Sequence, residues 1–476
     1  MHGQWSPEQV RKMGEAVTAW AAGFFGGLEA RPISPEVTPA AMDALFAGEL
    51  PEEGAGWERA FAEVVEKVEA HSLLISHPRY FGLMNPTPLV PAIFTEVVVS
   101  ALNQNMGAWS HSPAATAVEK RVVRWLCDLV GYGPEGFGVL CSGGSVANLM
   151  GVRAAVANRL PAAERGGLQA LPGQPVFYVS SEAHFSFPKS ATVLGLGTEG
   201  MRMVPVDGRS RLRVDALRAA IREDRAAGRI PFCVAAIAGT TSSGAVDPLE
   251  AAAEVAEEEG LWYHVDAAWG SGVLLSPRHR HLLRGIERAD SITFDPHKWF
   301  FMPMGTGAIL VRERRALQAT FEQHAVYIPT APDERVDFRT YGIAGSRRCD
   351  ALKLWVSVQA LGTGWFRETV DRHMELTRWL AERIAASPAW EAVEAPELNI
   401  LCFRYLPAGV AAAELPGVQD RVAEAVARDG RAWVSPTTVR GVRAIRWMAL
   451  SPALTRADLE LFWEAINELA PGAARG

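Results

Sequence analysis

The sequence contains little cysteine and no paired cysteine motif. Its 476 residues include five cysteines, which are widely spaced and form no CxxC pair. Zinc sites usually draw on such pairs, and an odd number of scattered thiols does not make a disulfide framework. We therefore expect reduced, mostly buried thiols and no metal site.

Long apolar runs and an excess of positive charge are also missing. No stretch of 18 apolar residues occurs, and the opening MHGQWSPEQV lacks the basic segment and apolar stretch of a signal peptide. The net charge is −7, and arginine-rich stretches are interleaved with acidic residues, so no basic field attracts a phosphate backbone. The sequence predicts a cytoplasmic protein that binds neither membranes nor nucleic acids.

The remaining composition is that of a globular protein with several subdomains. Apolar residues make up 49% and charged residues 21% of the chain, and its length exceeds the usual size of one hydrophobic core. Residues 1–76 show helical spacing and predict a helical N-terminal segment. In residues 77–349, short β-like runs (GVLCS, PVFYV, CVAAIAGT, LWYHVDAA, SITF) alternate with alanine-rich helical stretches, which predicts a large α/β domain with a parallel sheet. Residues 350–476 open with a long amphipathic helix and predict a small α+β domain.

A lysine, Lys298, follows a β-like run and a Pro-His turn in SITFDPHKW (291–299). A loop at such a place can point an amine into a cleft, and a sheltered lysine can form an imine with an aldehyde. Lys298 is therefore a candidate for covalent cofactor binding. The alternative is a surface lysine after a turn.

An acid, Asp266, ends an apolar run and is flanked by small residues in LWYHVDAAWG (261–270). A buried carboxylate is costly unless it is paired, and a pyridinium N–H is a suitable partner that the carboxylate keeps protonated. The small Ala268 would let such a ring lie against the backbone. Alternatively, Asp266 caps the segment that follows.

A glycine-rich turn in GVLCSGGSVANL (138–149) joins a β-like run to a helix predicted to begin near Val146. Helix N-termini present free N–H groups and the positive end of a dipole, which suits a phosphate. Many such turns are only tight connections. Together with Lys298 and Asp266, however, this turn predicts a cofactor site.

Eight motifs extend this pattern from about His77 to Pro452. They are HPRYFG (77–82), WSHSPAATAVEKRVVRWL (109–126), SGGSVANL (142–149), SSEAHFS (180–186), AGTTSSGAVDPL (238–249), HVDAAWGSG (264–272), DPHKW (295–299) and GSRRCDALKLW (345–355). In content and order they resemble the group II pyridoxal-5′-phosphate (PLP)-dependent amino acid decarboxylases, which include aromatic-L-amino-acid, glutamate and diaminobutyrate decarboxylases. The resemblance implies fold type I, with a large parallel-sheet domain, a helical N-terminal arm and a small α+β domain. It also implies decarboxylation of an L-amino acid to the amine and CO2.

The resemblance assigns the cofactor contacts residue by residue. Lys298 matches the lysine that binds PLP, Asp266 the partner of the pyridine nitrogen, and His184 the histidine that stacks on the ring and assists proton transfer. The remaining matches are Gly144, Ser145 and His297 for the phosphate, Thr240 for a cofactor-contacting threonine, and Ala268 for the small residue against the ring. Taken alone, His184 is typical of an ordinary, partly buried histidine.

Substrate contacts also follow from the resemblance. Arg446 matches an arginine that binds the substrate α-carboxylate in part of the family, although a surface ion pair is the alternative. The aligned pocket contains Met84, Asn85, Trp109 and His111, with no obvious extra cation for a side-chain carboxylate, which favours an aromatic substrate. Trp109 is equally typical of a core or dimer interface. Family members are homodimers with active sites at the subunit interface, so the same assembly is expected here.

The sequence departs from the family pattern at Phe338. Counting back from Arg347 without a gap places Phe338 where many members carry a loop tyrosine that delivers the final proton. Some plant relatives with the same change couple decarboxylation to oxidative deamination and release an aldehyde. The alternatives are that Tyr341 or Tyr327 donates the proton, or that the loop alignment is displaced.

Two rival interpretations remain at this stage. Another fold-type-I PLP enzyme, such as an aminotransferase or a lyase, shares a lysine, an acid and a phosphate turn, but HPRYFG, WSHSP and DPHKW favour the decarboxylases. A non-catalytic homologue would be expected to lose Lys298, Asp266 or His184, all of which are present.

Overall fold

A computed structural model describes residues 5–323 and 335–475, which form two sheets surrounded by helices. The helices are α1 (Pro7–Gly26), α2 (Pro39–Leu45), α3 (Trp57–Val64), α4 (Val90–Leu102), α5 (Pro113–Val130), α6 (Gly144–Arg159), α7 (Pro161–Gly166), α8 (Ser186–Val193), α9 (Val214–Ala226), α10 (Leu249–Glu258), α11 (Arg314–Phe321), α12 (Ala351–Ala385), α13 (Leu415–Asp429) and α14 (Arg456–Ala473). The strands are β1 (Phe137–Cys141), β2 (Pro175–Ser180), β3 (Met201–Val204), β4 (Ile230–Ile237), β5 (Trp262–Asp266), β6 (Ser291–Phe294), β7 (Gly307–Val311), β8 (Trp390–Ala392), β9 (Ile400–Tyr405), β10 (Ser435–Val439) and β11 (Val442–Met448).

The large sheet has seven strands in the order β1-β7-β6-β5-β4-β2-β3. Only β7 runs against its neighbours, and it pairs with both β1 and β6. All residues of β2 and β5 are buried, as expected for strands covered by helices on both faces. The mostly parallel sheet confirms the predicted α/β class.

The parallel strands bring distant loops to one edge of the large sheet. The segments after β1, β2, β4, β5 and β6 all leave from their carboxyl ends, and this edge is where open α/β sheets bind ligands. The glycine-rich turn, the His184 segment, Asp266 and Lys298 belong to these segments. The topology therefore collects the predicted cofactor residues.

The C-terminal part forms an antiparallel four-stranded sheet in the order β10-β11-β9-β8. Its core includes Phe403, Trp447 and Phe462, and it also buries Phe81 from the segment that precedes α4. Phe81 N–H donates to Trp433 O at 2.8 Å, so this segment is tied to the small sheet.

The N-terminal segment is helical, with α1 begun by a capping box between Ser6 and Gln9. The fold class predicted from the sequence is confirmed, while the domain boundaries at 76/77 and 349/350 stay predictions. In the described ranges, no helix combines the length and apolar character needed to span a bilayer.

Candidate active site

A cavity of about 450 Å³ lies at the carboxyl edge of the large sheet. Its volume falls in the range of small-molecule sites. Nine predicted residues line it: Met84, Asn85, Gly144, Ser145, His184, Asp266, Ala268, His297 and Lys298. Residues that are more than 200 positions apart in the sequence therefore meet around one space.

Lys298 enters the cavity from the loop after β6. Its Nζ lies 3.4 Å from Asp295 Oδ2, and its side chain is 17% exposed. Asp295 is buried, and its Oδ1 has no hydrogen-bond partner among the described residues. The amine is thus sheltered and held by one carboxylate contact, which leaves it able to bind a ligand.

Asp266 ends β5 and presents a buried carboxylate to the same cavity. Its Oδ1 accepts from Ala268 N–H at 3.1 Å, and its Oδ2 accepts from the Asn148 amide at 2.8 Å. Within the described ranges no Lys, Arg or His side chain forms an ion pair with it. A buried anion of this kind is stabilised when a cationic N–H binds next to it.

His184 lies between β2 and α8, with its ring next to Phe185 at a centroid distance of 4.0 Å. Its Nδ1 lies 3.0 Å from Ser186 Oγ. Burial lowers the pKa of His184, so the ring is neutral at neutral pH. A neutral imidazole can both pack against a flat ligand and exchange a proton.

The glycine-rich turn makes a cradle at the start of α6. A Cβ at Gly144 would lie 2.6 Å from Asp295 Oδ2 and 3.2 Å from Ala268 Cβ, so only glycine fits there. The first turn of α6 leaves backbone N–H groups directed at the cavity. His297 borders the cradle and is oriented by a 2.8 Å hydrogen bond from its Nδ1–H to Thr306 O.

Trp109 and Thr240 do not line this cavity. Trp109 borders a separate cleft of about 980 Å³, where Arg335 lies over its ring at 5.4 Å.

Thr240 is fully buried, and its hydroxyl accepts from Ala245 N–H at 3.1 Å within a turn. Its neighbours Gly239 and Thr241 reach the cavity instead. Within one chain, direct contacts from Trp109 and the Thr240 side chain are therefore not formed. His111 is exposed next to Trp109.

Arg446 lies behind the cavity wall. Its Nη2 donates to Gly82 O at 3.3 Å and to Ser435 Oγ at 3.2 Å, and its Nη1 donates to Thr241 O. Burial lowers the pKa of this guanidinium, and its Nε has no described partner. The surface ion pair considered as an alternative is absent from the described residues. Arg446 does not line the cavity itself but is hydrogen-bonded to Thr241, which does, so its contact with a substrate carboxylate stays a prediction.

Phe338 is also outside the cavity. It is 2% exposed, stacks on Phe137 at a centroid distance of 6.2 Å and packs under Arg347. The predicted contact with substrate is therefore not formed within the same chain, because apolar burial holds the ring in the core. Tyr341 is buried too, and its hydroxyl accepts from Arg314. Tyr327 lies outside the described residues.

Several residues that line the cavity were not predicted from the sequence. Asn148, Asp295 and Thr241 line the cavity, as do Met304 and Phe185, which are 63% and 58% exposed at its mouth. Asn148 follows Gly144 by four residues, so helical spacing places both on one face of α6. That spacing was the available signal for Asn148.

Comparison with known proteins agrees with this arrangement. Residues 39–406 match the family described as the pyridoxal-dependent decarboxylase conserved domain. The chain is 34% identical to L-2,4-diaminobutyrate decarboxylase of Acinetobacter baumannii, over 85% of this chain and 82% of the relative. It is also 34% identical to cysteine sulfinic acid decarboxylase of Mus musculus, over 89% and 88%. The solved structure of Oryza sativa TDC with PLP and tryptamine superimposes with a TM-score of 0.93 at 25% identity, covering 99% of each chain.

Proposed function

Because the chain belongs to the pyridoxal-dependent decarboxylase family and is a PLP-dependent amino acid decarboxylase, we propose that it acts on an aromatic L-amino acid, with Lys298, Asp266 and His184 as the reacting residues. The observation that carries this proposal is the meeting of these three side chains in one cavity beside a glycine cradle. An aminotransferase or a non-catalytic subunit has no comparable support.

The cavity residues fit PLP in three respects. The cradle at Gly144 leaves no room for a side chain and directs helix N–H groups outward, as a phosphate requires. Asp266 is a buried anion without a cation among the described residues, as a pyridinium N–H requires. Lys298 supplies a sheltered amine on the same cavity wall. When bound, PLP supplies an aldehyde that condenses with amines and a cationic ring that delocalises the electron pair left at Cα when the carboxylate departs.

Each of the three residues then has a defined task. Lys298 would hold the cofactor through Nζ, and its single carboxylate contact would allow the substrate amine to replace it there. Asp266 keeps the proton on the ring nitrogen, because its buried carboxylate stabilises an adjacent positive charge. His184 orients the reacting group and exchanges a proton at its ring, since burial keeps it neutral.

The aromatic preference is supported by the lining of the cavity. Among the described residues that line it, Lys298 is the only lysine or arginine, so no second cation is present for an acidic side chain. Met84, Met304 and Phe185 offer polarisable and aromatic surface at the mouth. The named relatives act on cationic and acidic amino acids, which makes substrate choice the point to test.

The test is product analysis of the PLP-loaded protein with a panel of aromatic, acidic and cationic L-amino acids. Carbon dioxide and amine in equal amounts, fastest with an aromatic substrate, are expected. Preferential turnover of cysteine sulfinate, glutamate or diaminobutyrate would overturn the aromatic assignment and leave the decarboxylase assignment intact.

A second candidate reaction forms an aldehyde. Among the described residues lining the cavity there is no tyrosine, and Phe338 occupies the aligned loop position. Where O2 reaches Cα before His184 delivers a proton, the electron pair at Cα reduces O2 instead: amino acid, O2 and water give aldehyde, CO2, ammonia and H2O2. Peroxide and ammonia in amounts equal to CO2 would establish this reaction, and amine as the sole product would exclude it.

The proposed assembly is a homodimer with active sites at the interface, in the cytoplasm as expected from the sequence. Helix α4 exposes five apolar residues on one face: Val90, Phe94, Val97, Val98 and Leu102. Exposed apolar patches of this kind are typical of interfaces. Light scattering should give a dimer for the wild type and a monomer for Val97→Glu combined with Val98→Glu. A wild-type monomer would contradict the proposal.

A further inference from the structure

Asn148 lies at the centre of a buried polar network on the second turn of α6. The residue is 1% exposed, and its side chain makes four hydrogen bonds. Its Nδ2 contacts Asp266 Oδ2 at 2.8 Å and Ser186 Oγ at 2.9 Å. Its Oδ1 contacts His264 Nε2 at 3.0 Å and Thr293 Oγ1 at 2.6 Å. The full hydrogen-bonding capacity of the amide is therefore used.

The direction of the hydrogen bonds can be followed from Trp262. Its indole N–H only donates, and it lies 2.8 Å from Ser291 Oγ. The Ser291 hydroxyl also lies 2.8 Å from His264 Nδ1 and can donate to it when the ring proton is on Nε2. Burial lowers the pKa of His264 to about 4, so its ring is neutral.

The Asn148 amide links the hydrogen bonds that begin at Trp262 to Asp266 and Ser186. Its Oδ1 accepts from His264 Nε2–H and from the Thr293 hydroxyl, so its Nδ2 must face Asp266 and Ser186. The reverse orientation would place Oδ1 against the Asp266 carboxylate, which cannot donate when ionised. The Asp266 carboxylate thus selects one orientation of the amide, and with Oδ1 facing His264 the neutral imidazole must carry its proton on Nε2.

The series of hydrogen bonds ends at His184. Because Ser186 Oγ accepts from Asn148, its hydroxyl proton is free to donate to His184 Nδ1 at 3.0 Å. The Ser186 backbone N–H, 3.3 Å from Nδ1, favours the same arrangement. With Nδ1 accepting, a neutral His184 carries its proton on Nε2.

We propose that Asn148 is a positioning residue for the reaction: one amide holds the Asp266 carboxylate in place and, through Ser186, fixes the proton of His184 on Nε2. Asp266, assigned to the ring nitrogen, and His184, assigned to proton exchange, are thereby both positioned by the Asn148 side chain. This inference rests on the proposed function for its catalytic meaning, but the geometry concerns side chains of this chain alone.

The packing of α6 supports a positional role. A Cβ at Gly151 would lie 2.4 Å from His264 Cε1, so the helix backbone is in direct contact with the imidazole that donates to Asn148. Gly144, Asn148 and Gly151 share one face of the helix. The same face therefore forms the cradle, positions Asp266 and supports His264.

The first test measures PLP affinity, by absorption titration, of Asn148→Leu and its matched control Asn158→Leu. Asn158 is on the same helix, but its amide donates to Ala154 O at 2.8 Å, away from the cavity. The dissociation constant should rise about 10- to 100-fold in Asn148→Leu, the range found when the partner of a metal-binding side chain is removed. A constant no larger than that of Asn158→Leu, in a variant with a native melting curve, would overturn the link to Asp266.

The second test reads the proton position directly. In 15N-histidine-labelled, cofactor-free protein, the His184 ring nitrogens, assigned with His184→Gln, should show the Nε2–H form. Asn148→Asp keeps the acceptor for His264 and Thr293 but replaces the donor by an oxygen that accepts the Ser186 proton, so an Nδ1–H population should appear. Wild-type His184 with its proton on Nδ1, or an unchanged tautomer in Asn148→Asp, would overturn the link to His184.

These readouts separate the inference from the proposed function. Neither PLP affinity nor a histidine tautomer depends on which amino acid is consumed. If the substrate panel shows no aromatic decarboxylation while both tests succeed, the substrate assignment fails and Asn148 keeps its role. Asn158→Leu should show the wild-type tautomer throughout.

Discussion

Two acids in the cavity are held in different ways. At what we call the Asp266 end (Asp266, Asn148, His264), both carboxylate oxygens accept hydrogen bonds, and the chain of donors extends back to Trp262. At the Lys298 end (Lys298, Asp295, His297), Asp295 Oδ2 lies 3.4 Å from the amine, and Oδ1 has no described partner. At the Asp266 end both carboxylate oxygens are hydrogen-bonded within the chain, whereas at the Lys298 end one carboxylate oxygen has no described partner.

We relate this difference to two tasks: the Asp266 end positions polar groups, and the Lys298 end takes part in the reaction. A buried polar atom without a partner costs about 1–3 kcal/mol, so such atoms persist where a ligand later contacts them. At the Asp266 end, hydrogen bonds to Asn148 and Ala268 hold the carboxylate in one orientation. The Lys298 end must exchange partners during turnover, and a lysine with a single carboxylate contact can do so.

The largest expected effect is at Lys298. Lys298→Ala should lower CO2 release by at least about 10²- to 10⁴-fold, because the amine that binds the cofactor and exchanges protons is lost. Borohydride treatment of the PLP-loaded wild type should attach the cofactor covalently, as seen by mass spectrometry, whereas the variant should remain unlabelled. Lys12→Ala, on exposed α1, is the control. Unchanged turnover in Lys298→Ala would remove the central assignment.

The next largest effect on kcat is expected at the Asp266 end of the cavity. Asp266→Asn keeps the shape of the side chain but removes the charge that stabilises a cationic ring, so kcat should fall about 10²- to 10³-fold. The exposed Asp420→Asn, which loses an ion pair with Arg443 in the small sheet, should retain wild-type kcat. Equal rates in the two variants would mean that Asp266 is only structural.

A smaller effect on kcat is expected at the Lys298 end. Asp295→Asn keeps a polar group next to Lys298 but removes its negative charge, so kcat should fall about tenfold, less than in Asp266→Asn. Stopped-flow measurement of PLP loading should show slower capture. A loss larger than that of Asp266→Asn would reverse the comparison between the two ends.

The smallest effect is a pH dependence of stability that both ends share. Burial lowers the pKa to about 4 for His264 at the Asp266 end and for His373, which contacts Trp299, the residue after Lys298. The unfolded chain binds protons below about pH 6.5 while the folded chain does not, so stability is present above that pH and is lost as pH falls towards 4. Each histidine contributes at most about 1.4 kcal/mol per pH unit.

Urea unfolding at about pH 7 and about pH 5 measures this dependence. His373 accepts from Trp299 Nε1 at 3.1 Å and donates to Ser451 O at 2.9 Å, and glutamine can supply both groups. His373→Gln should therefore reduce the pH dependence relative to the wild type. An identical slope in both proteins would show that His373 is protonated when folded.

Much of the cavity could be predicted because its residues follow short buried strands. The runs that contain β1, β2, β4, β5 and β6 were identified from apolar character, and parallel strands place their carboxyl ends together. Lys298, Asp266 and the glycine turn were found in this way, whereas His184 was assigned only through the resemblance to the decarboxylases. Their predicted roles still await the measurements above.

The remainder depended on contacts that local sequence does not encode. Phe338 was placed by counting along a loop, but its burial is decided by Phe137, about 200 residues away. Arg446 was matched by motif, while the carbonyl of Thr241 determines where its guanidinium lies. The antiparallel position of β7 follows from pairing with two strands that are distant from each other in sequence.

Strand β7 also determines when the cavity can form during synthesis. It lies between β1 and β6, so the strand before the cradle and the strand before the lysine loop are joined in one sheet only after Gly307–Val311 leaves the ribosome. Such long-range pairing is slow, and unpaired strand edges promote aggregation of nascent chains. We expect nascent chains shorter than this point to need chaperones, and cofactor capture to mark the end of folding.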